Sequence, residues 1–567
     1  LPDEVKWGPE KWSIDYRDKN RVNCYDTGTA PCKTACPAHI AVQGYLKLAA
    51  QGKYREALQL IKRENPFPAV CGRICNRRCE DACTRGTVDQ AVAIDEVKRF
   101  IAQQDLDAAT RFVPEKVIPK VDGAFDQQIA IIGGGPAGLS CAYYLAEKGY
   151  RPTVFEREQR LGGMLENGLP SFRLEKDVVQ AEIDVLREMG VQFRCGVEVG
   201  RDVTIAQLRE QGYQGFYVAV GLQSGGRLNI PGDDAQGVTA GIDFMRRVNG
   251  GQETKLEGRV VVIGGGNIAA DVARTAVRCG AESVDLYCLE SYDDMPMGPE
   301  DRGECERDGI TIHAGWGQTE IVTENGHAAG IRLRKCLRVK NDQGRFAPEF
   351  DDNDTCQAQC AAVLYCIGQK VDWRQLLTGT AVTFNPNGTA QVDPVTYQTA
   401  EPGIFAGGDA VTGQKFAIDA IAAGKEGAIS LHRFVQKATL TIGRNRRQFV
   451  ELDKENALIP VGFDNTPRQR IGYNEALRRT FRDERIAFTA EQVQKETARC
   501  LSCGASVVDP NKCIGCGVCT TKCAFDAIHL HRERPECTHM IPAEDKMKAI
   551  LPYMVKREIK IRKAGKK

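Results

Sequence analysis

The spacing of its cysteines is the feature that most limits what this 567-residue chain can fold into. Of its 23 cysteines, seven lie within residues 24–83 and seven within residues 500–537. Three thiolates separated by two residues on a tight loop can bind one face of a 4Fe–4S cluster, and a fourth cysteine three residues later is directed elsewhere. That spacing, C-x2-C-x2-C-x3-C, is formed by Cys513, Cys516, Cys519 and Cys523. The sequence therefore predicts a protein that carries single electrons.

The C-terminal group has more cysteines than one cluster needs. Cys500 and Cys503 precede the four-cysteine run, and Cys537 follows it. In two-cluster ferredoxins the last cysteine of such a run ligates the other cluster. A second cluster would then use Cys500, Cys503 and Cys523, with Cys537 as the spare ligand nearby; the alternative is one cluster on the run alone. With one or two clusters at the other end, the prediction is two to four in total.

Composition and charge exclude several classes of protein. The length suggests about four domains. A formal net charge of +1 argues against a nucleic-acid partner. No apolar run approaches the ~18–20 residues that span a bilayer. Cysteines at cluster spacing, not disulfide spacing, indicate a reducing compartment, and we expect the cytoplasm.

A first dinucleotide-binding motif follows the apolar run at residues 129–132. Glycines occupy the G-x-G-x-x-G positions, where a tight turn, close approach to a pyrophosphate and helix–strand packing each exclude a side chain. An acidic residue ends the next strand, where it can accept from ribose hydroxyls. The predicted contacts are Gly133, Gly135, Pro136, Ala137, Gly138 and Glu156.

A second motif of the same kind, G-x-G-x-x-A, follows the apolar run at residues 260–263. The predicted contacts are Gly264, Gly266, Asn267, Ile268, Ala269 and Glu290. Two such units suggest two different dinucleotides. FAD with a nicotinamide is the economical pair, because a flavin converts a two-electron hydride into the single electrons that clusters carry.

A later segment, residues 403–431, has a strand, Gly-Gly-Asp and an Ala/Gly-rich helix. It resembles the C-terminal flavin-contacting motif of two-dinucleotide flavoproteins, which places Gly408 and Asp409 near the flavin. Residues 216–221 and 363–368 resemble the crossover strands of those proteins, so the nicotinamide domain is expected as an insertion in the flavin domain.

The central 300 residues resemble the flavoprotein disulfide-reductase superfamily. Residues 32–40, 52–83 and 162–174 resemble the small subunit of glutamate synthase and the electron-input half of dihydropyrimidine dehydrogenase. The resemblance implies FAD, a nicotinamide site and two N-terminal 4Fe–4S clusters. It adds Gly163 and Arg173 as cofactor contacts.

The resemblance also implies cluster ligands, with a departure. The family's usual C-x2-C-x4-C is represented by C-x7-C, one cysteine short. A non-cysteine family ligand falls near Lys98, which cannot ligate as an ammonium; Glu96 lies two residues away. One cluster is expected on Cys36, Cys75 and Cys79 with Cys71 as the candidate fourth ligand, and the other, one ligand short, on Cys24, Cys32 and Cys83.

We therefore expect a multidomain α/β protein. The fold class is an N-terminal all-α iron–sulfur domain, two Rossmann-like domains with the nicotinamide domain inserted in the FAD domain, and a C-terminal ferredoxin-like α+β domain. The expected boundaries are 1–125 for the helical domain, 126–250 and 356–436 for the FAD domain, 251–355 for the nicotinamide domain, 437–495 for a linker and 496–567 for the ferredoxin-like domain.

The nicotinamide preference is predicted from the end of the second motif. NADP-specific members of the resembled family place Tyr-Arg-Arg there, whose guanidinium groups bind the 2′-phosphate. This chain has Tyr287, Cys288 and, two residues on, Glu290. A carboxylate repels a phosphate and accepts from ribose hydroxyls, so NAD(H) is expected over NADP(H).

Three functions compete at this point. The first is an NAD(H)-dependent subunit of a hetero-oligomer that exchanges electrons with a ferredoxin or with a hydrogenase, 2-oxoacid or aldehyde oxidoreductase partner. The second is a glutamate synthase small subunit, and the third is a non-catalytic electron-wiring scaffold. Hydride transfer between a nicotinamide and a flavin needs no side-chain acid or base, so no catalytic residue is predicted. No C-x-x-C lies beside the flavin motif, which disfavours disulfide reduction.

Overall fold

The computed structural model describes residues 29–116, 125–252, 254–442, 444, 452–455, 462–503 and 543–564. By contacts the chain divides into two compact units, residues 28–504 and residues 1–27 with 505–567. The predicted ferredoxin-like domain, residues 496–567, starts nine residues before the point, residue 505, at which the chain passes into the second unit.

The first unit begins with a helical domain whose helices bury one apolar side each. The second helix, for example, buries Val42, Tyr45 and Leu46. Proline stands at the first helical position of the first and fourth helices, where its missing N–H costs nothing. The helices are α1 Pro31–Thr34, α2 Val42–Ala50, α3 Tyr54–Lys62, α4 Pro68–Ile74, α5 Arg78–Asp81 and α6 Ile94–Ala102, with 3₁₀ turns at Thr84–Thr87 and Gln103–Asp105.

A five-stranded parallel sheet follows, in the order β15-β4-β1-β2-β3. The central strand is almost wholly buried because helices cover the sheet, as its apolar sequence QIAII predicts. Its elements are β1 Gln128–Ile132, α7 Pro136–Glu147, β2 Thr153–Glu156, α8 Met164–Asn167, α9 Lys176–Glu188, β3 Gln192–Cys195, α10 Ile205–Glu210, β4 Tyr213–Val218, β15 Ile404–Ala406, α14 Asp409–Thr412 and α15 Ala417–Val435.

A second five-stranded parallel sheet has the order β6-β13-β7-β8-β9. Three long antiparallel strands extend from this domain as a separate sheet. The elements are β5 Ser224–Gly225, β6 Val238–Ala240, α11 Gly241–Asn249, β7 Arg259–Ile263, α12 Asn267–Arg278, β8 Ser283–Cys288, α13 Pro299–Arg307, β9 Thr311–Ala314, β10 Trp316–Glu324, β11 His327–Lys340, β12 Phe346–Gln359, β13 Ala362–Tyr365 and β14 Gln369–Lys370.

The border between the two Rossmann-like domains differs from the prediction. Strand β13, expected to lie in the flavin domain, pairs in parallel with β7 and β6 of the second sheet. The short pair β5–β14 connects the two domains instead. A buried strand of four apolar residues fits either sheet equally well by pattern, so only the pairing decides to which it belongs.

Helix α15, in the last segment of the flavin domain, packs against α7, in its first segment. A side chain at Gly424 would collide with the carbonyl oxygen of Ala137. The Ser140 hydroxyl donates to the Ile421 carbonyl at 2.7 Å. This close approach places the residues before α15 beside the first glycine motif.

The predicted linker, residues 437–495, contains regular structure where it is described. Strands β16 Gly472–Tyr473 and β17 Arg485–Ile486 pair antiparallel, a 3₁₀ turn spans Glu475–Leu477, and α16 spans Ala490–Ala498. Helix α16 packs on α2 and α6 of the helical domain. In the second unit a 3₁₀ turn at Ala543–Asp545 leads into α17, Lys546–Ala564. Within the described ranges, no helix has both the length and the apolar composition that a bilayer crossing requires.

Candidate functional site

A cavity of about 860 Å³ opens where the carboxyl ends of the two parallel sheets face each other. Crevices at this edge of parallel sheets are where dinucleotides bind. Most of the predicted cofactor contacts line it: Gly133, Gly135, Pro136, Ala137, Glu156, Gly163, Arg173, Gly266, Asn267, Ile268, Gly408 and Asp409.

The first glycine motif forms a cradle that side chains would fill. Gly133 has φ +108°, and a Cβ there would lie 2.4 Å or so from a neighbouring carbonyl oxygen, that of Ala219. A Cβ at Gly138 would collide with the Gly133 carbonyl oxygen, so this residue lets α7 pack on β1. At Gly135 the nearest atom to a Cβ is the Gly163 Cα at 3.9 Å, which leaves the backbone open to the cavity. The residues present therefore fit the pyrophosphate of FAD at the N-terminus of α7.

The Glu156 carboxylate is held against this cradle by backbone donors. The Gly134 N–H donates to Oε2 at 2.7 Å and the Glu158 N–H donates to Oε1 at 2.9 Å. Burial raises the pKa of Glu156, and the two backbone hydrogen bonds oppose that rise. The carboxylate lines the cavity where a ribose hydroxyl can donate to it.

Gly408 and Asp409 close the cavity on the other side. Gly408 has φ +69°, and a Cβ there would lie 3.0 Å from that of Ala137. Asp409 begins α14, and burial raises its pKa to about 6. Its Oδ1 accepts from the Lys415 N–H at 3.3 Å. A polar acceptor is thus available where the resemblance predicted flavin contacts.

The second glycine motif repeats the geometry of the first. Gly264 has φ +144°, and a Cβ there would lie 2.6 Å from the Cys366 carbonyl oxygen. Apart from its chain neighbours, no atom of the described residues lies within 4 Å of a Cβ placed on Gly266, so the N-terminus of α12 is open to a pyrophosphate. Ala269 is fully buried, as a packing position requires. The Glu290 Oε2 lies 2.7 Å from a Cβ placed on Gly265, the place that Glu156 takes beside Gly134.

Arg173 lies in an ion-pair network between the two nucleotide domains. Its Nη1 is 3.1 Å from Asp271 Oδ1 on α12, and its Nη2 pairs with Asp301 on α13. Burial raises the pKa of Asp271, and Arg173 and Arg274 oppose that rise. The sequence placed Arg173 at the cofactor but gave no sign of these acidic partners, which are distant in the chain.

Four predicted cluster cysteines gather around α4 and α5. Cys71 is on α4, Cys75 caps it, and Cys79 is on α5. Burial raises the pKa of the Cys75 thiol, and Cys36 raises it further from nearby. Cys75 likewise raises the pKa of both Cys71 and Cys79. We name Cys36, Cys71, Cys75 and Cys79 the first cysteine group.

Four more cysteines form a second group that the sequence did not assemble. Burial raises the pKa of Cys32, and the next largest causes are the nearby thiols of Cys83, Cys500 and Cys503. Burial also raises the pKa of the Cys500 and Cys503 thiols, and the nearby Cys83 thiol adds to the rise in both. We name Cys32, Cys83, Cys500 and Cys503 the second cysteine group. The predicted ligands Cys24, Cys513, Cys516, Cys519, Cys523 and Cys537 lie outside the described residues.

A buried lysine lies beside the first cysteine group. Lys98 forms an ion pair with Asp95 and is close enough to Cys71 and Cys75 for each to raise its pKa. Glu96, the acidic alternative near the expected non-cysteine ligand position, pairs with Arg77 at 3.0 Å. The Lys98 ammonium therefore lies beside this cysteine group, with the Asp95 carboxylate as its partner.

The first cysteine group also borders the nucleotide cavity. Ile74, the residue before Cys75, lines the cavity. Arg78, the residue before Cys79, pairs with Asp419 on α15 at 3.1 and 3.2 Å. Its guanidinium carbon is 5.5 Å from the ring centroid of Phe416, another lining residue. The residues next to Cys75 and Cys79 therefore contact the cavity predicted to bind the flavin.

Donor chemistry in both groups fits a 4Fe–4S cluster, which takes four cysteine thiolates. No three His, Cys, Asp or Glu side chains in the described ranges converge closely enough to hold one metal ion.

Fold and site together define a two-dinucleotide flavoprotein joined to iron–sulfur domains. The chain belongs to the pyridine nucleotide-disulphide oxidoreductase family, whose model matches residues 127–424. Residues 15–110 match the dihydropyrimidine dehydrogenase domain II, 4Fe-4S cluster, family, and residues 506–529 match a 4Fe-4S binding domain.

Curated relatives cover most of the chain. The beta subunit of NADP(+)-dependent formate dehydrogenase from Moorella thermoacetica is 34% identical over 84% of this chain and 70% of that protein. The small chain of glutamate synthase [NADPH] from Escherichia coli is 32% identical over 73% of this chain and 90% of that protein. The beta subunit of NADPH-Fe(3+) oxidoreductase from Geobacter sulfurreducens is 29% identical over 84% and 75% respectively. The chain is thus a FAD- and iron–sulfur-containing oxidoreductase related to these subunits, as its sequence predicted.

Proposed function

We propose that this chain is the NADH-linked subunit of a hetero-oligomer, passing electrons between NADH and a ferredoxin or a partner oxidoreductase. The single observation that carries the nucleotide choice is the Glu290 carboxylate beside Gly265 in the second glycine motif. The adjoining Cys288 is a buried thiol where NADP-specific members of the resembled family have arginine. A 2′-phosphate would meet a negative charge there and no guanidinium from this strand end.

The three relatives named above carry NADP(+) or NADPH in their names. The proposed preference for NADH therefore distinguishes this chain from these relatives, and it depends on one local feature, the Glu290 carboxylate. At 29–34% identity, the few residues around a ribose can differ while the fold and the cofactor class stay the same.

FAD bound at the first motif supplies hydride acceptance from the nicotinamide and single-electron release to 4Fe–4S clusters. The residues of the chain provide binding and placement. The open backbone at Gly135 and Gly266 receives the two pyrophosphates, and the carboxylates of Glu156 and Glu290 orient the two adenosine riboses. Ile74 lines the cavity and directly precedes Cys75. A cluster held by the first cysteine group would therefore lie next to a flavin bound in the cavity.

Partner choice is supported by the names of the relatives and by the C-terminal cysteines. Relatives named as beta subunits or small chains work within complexes. The segment matched as a 4Fe-4S binding domain, residues 506–529, adds one-electron carriers beyond the flavin domains. We propose that electrons reach the ferredoxin or the hydrogenase, 2-oxoacid or aldehyde oxidoreductase partner through them.

The deciding experiment is anaerobic stopped-flow reduction with NADH or NADPH, followed by steady-state reduction of a low-potential ferredoxin. We expect the flavin absorbance to bleach with a clearly higher kcat/KM for NADH, and the ferredoxin to be reduced. Equal kcat/KM values for the two nucleotides would refute the nucleotide choice. Absence of any bleaching would instead favour the electron-wiring scaffold.

The second candidate is a glutamate synthase small subunit, because the chain covers 90% of that relative from Escherichia coli. It is tested by adding a glutamate synthase large subunit, glutamine and 2-oxoglutarate. Glutamate formation at the expense of NADH or NADPH would support this candidate; its absence together with ferredoxin reduction supports the first.

A further inference from the structure

Within the described part of the helical domain, Cys32 and Cys83 of the second cysteine group are two ligands short of a complete set. Cys32 on α1 and Cys83, two residues after α5, come together because α1 and α5 are in contact. Every other cysteine described in the helical domain belongs to the first group. Among the described residues, a complete set of four must therefore draw on another part of the chain; the predicted ligand Cys24 lies outside them, and the set proposed below replaces it.

The two further thiols, those of Cys500 and Cys503, follow the end of helix α16. The Ala93 N–H donates to Glu496 Oε1 at 2.8 Å, which fixes this helix to the segment before α6. The Arg499 side chain, 1% exposed, donates to Asp89 Oδ1 at 3.0 Å and to the Gln90 carbonyl at 2.6 Å. Cys500 follows directly, and its N–H donates to the Thr497 carbonyl at 3.2 Å.

The return contact comes from the segment that carries Cys83. Arg85, also 1% exposed, donates from Nη1 to the Arg499 carbonyl at 3.1 Å and pairs with Asp89 at 2.6 Å. The Thr84 hydroxyl is buried, has no other hydrogen-bond partner in the described part of the chain, and lies beside the Cys503 thiol. Two buried arginines thus fix the segment that carries Cys83 to the end of α16, and the Thr84 hydroxyl lies at the Cys503 thiol, where it can donate to a cluster ligand.

A single zinc ion is the competing occupant of four thiols. Zinc would need all four sulfurs within ~2.3 Å of one point. Among the described residues, no three potential ligands approach one another closely enough for a single ion. The iron and acid-labile sulfide counts described below separate the two occupants, because a zinc site would contain neither.

We propose that Cys32, Cys83, Cys500 and Cys503 together hold one 4Fe–4S cluster, whose ligands come from both ends of the 28–504 unit. This replaces the predicted use of Cys500 and Cys503 beside Cys523 and Cys537. It rests on the proposed function only in requiring iron–sulfur clusters, and not on the nucleotide, the partner or the direction of transfer.

The test counts iron and acid-labile sulfide in the full-length chain, purified anaerobically, beside EPR spectra of the dithionite-reduced protein. We compare Cys32→Ser/Cys83→Ser, Cys500→Ser/Cys503→Ser and the quadruple variant. One shared cluster predicts that each pair loses about four iron atoms and the same EPR signal, and that the quadruple variant loses no more. A loss of about eight iron atoms in the quadruple variant would overturn the proposal.

The matched control is Cys523→Ser/Cys537→Ser, alone and combined with Cys500→Ser/Cys503→Ser. Separate clusters predict additive losses, whereas a non-additive loss would assign all four cysteines to one ferredoxin-like cluster and overturn the proposal. FAD content reports whether each variant is folded. Failure of NADH to bleach the flavin would refute the proposed function without changing these counts.

A measurement on the unmodified chain covers variants that fail to fold. Clusters are broken stepwise with ferricyanide and EDTA, and the released thiols are alkylated and located by mass spectrometry. The proposal predicts that Cys32, Cys83, Cys500 and Cys503 become alkylated in one step. Release of Cys500 and Cys503 together with Cys523 and Cys537, at a different step from Cys32, would refute it.

Discussion

Glu290 bears the same relation to Gly265 that Glu156 bears to Gly134. In each motif the acidic residue at or just beyond the end of the second strand lies over the middle glycine of the turn: Oε2 lies 2.7 Å from a Cβ placed on Gly265 and 3.1 Å from one on Gly134. A larger residue at either glycine would displace the carboxylate. The duplicated geometry indicates that both sites are arranged for a ribose hydroxyl, and this is the basis of the proposed NADH preference.

Cofactor choice should change with the charge at this strand end. Replacing Cys288→Arg and Glu290→Arg removes one repulsion and adds guanidinium donors, each contributing on the order of 1–3 kcal/mol toward a 2′-phosphate. We expect the ratio of kcat/KM for NADPH over NADH to rise at least tenfold in stopped-flow flavin reduction. Glu282→Arg, an exposed position just before β8, is the matched control and should leave the ratio unchanged. A similar rise in that control would mean that general charge attraction, not contact with the phosphate, is responsible.

Lys98 should set the reduction potential of the first cysteine group's cluster. A nearby positive charge stabilises the reduced, more negative state, so Lys98→Met should lower the midpoint potential by on the order of 50–100 mV, from the Coulomb energy at an effective dielectric constant of about 20. EPR-monitored redox titration measures the shift. Lys62→Met is the control, because Lys62 is equally buried and pairs with Asp105 in the same domain. An unchanged potential for Lys98→Met would contradict the assignment of this lysine.

Shortening the chain after residue 504 should separate hydride acceptance from electron exit. The cut follows the boundary of the first compact unit and retains Cys500 and Cys503. We expect NADH-dependent flavin bleaching to remain within about twofold, because its residues lie before the cut, and ferredoxin reduction to fall at least tenfold. A shorter chain ending at residue 489, which also loses α16, should lose about four more iron atoms. Undiminished ferredoxin reduction after the first cut would place the exit at the helical domain.

Glu182 should make stability depend on pH. It is fully buried, accepts from the Ala69 and Val70 N–H groups at the start of α4 at 2.8 and 2.9 Å, and burial raises its pKa to about 8. Below the unfolded pKa near 4.5 the carboxyl is protonated in both states, and the folded protein has its full stability. As pH rises toward 8 the unfolded state releases the proton more readily than the folded state, so the free energy of unfolding falls.

We therefore expect the melting temperature of the unmodified protein, relative to Glu182→Gln, to fall between about pH 5 and 8. The change should correspond to about 1–3 kcal/mol, since each pKa unit of difference is worth about 1.4 kcal/mol and is partly offset by relaxation. Glu188→Gln, exposed on the same helix, is the control and should follow the unmodified profile. Parallel profiles for all three proteins would show that Glu182 does not titrate in this window.

Local sequence signals were sufficient for the nucleotide cradles. The positions of Gly133, Gly138 and Gly264 could be predicted because each needs a backbone conformation or a close approach that only glycine allows, and such needs are encoded within a few residues. The class of protein followed from these motifs and the cysteine spacing, and the family matches confirm it.

The sequence by itself determined the two nucleotide motifs, the thiols available for clusters, and the carboxylate at Glu290, because each depends on residues near one another in the chain. Tertiary structure decided which distant residues meet. In the tertiary structure β13 pairs within the second sheet, and Arg173 forms an ion pair with Asp271 on the neighbouring domain. Lys98 lies beside the first cysteine group. Tertiary structure also carried Cys500 to Cys83 through the packing of α16 and the burial of Arg499. Spacing specifies which thiols can share one loop, but the partners of a cluster built from separate segments are fixed only when helix packing brings those segments together.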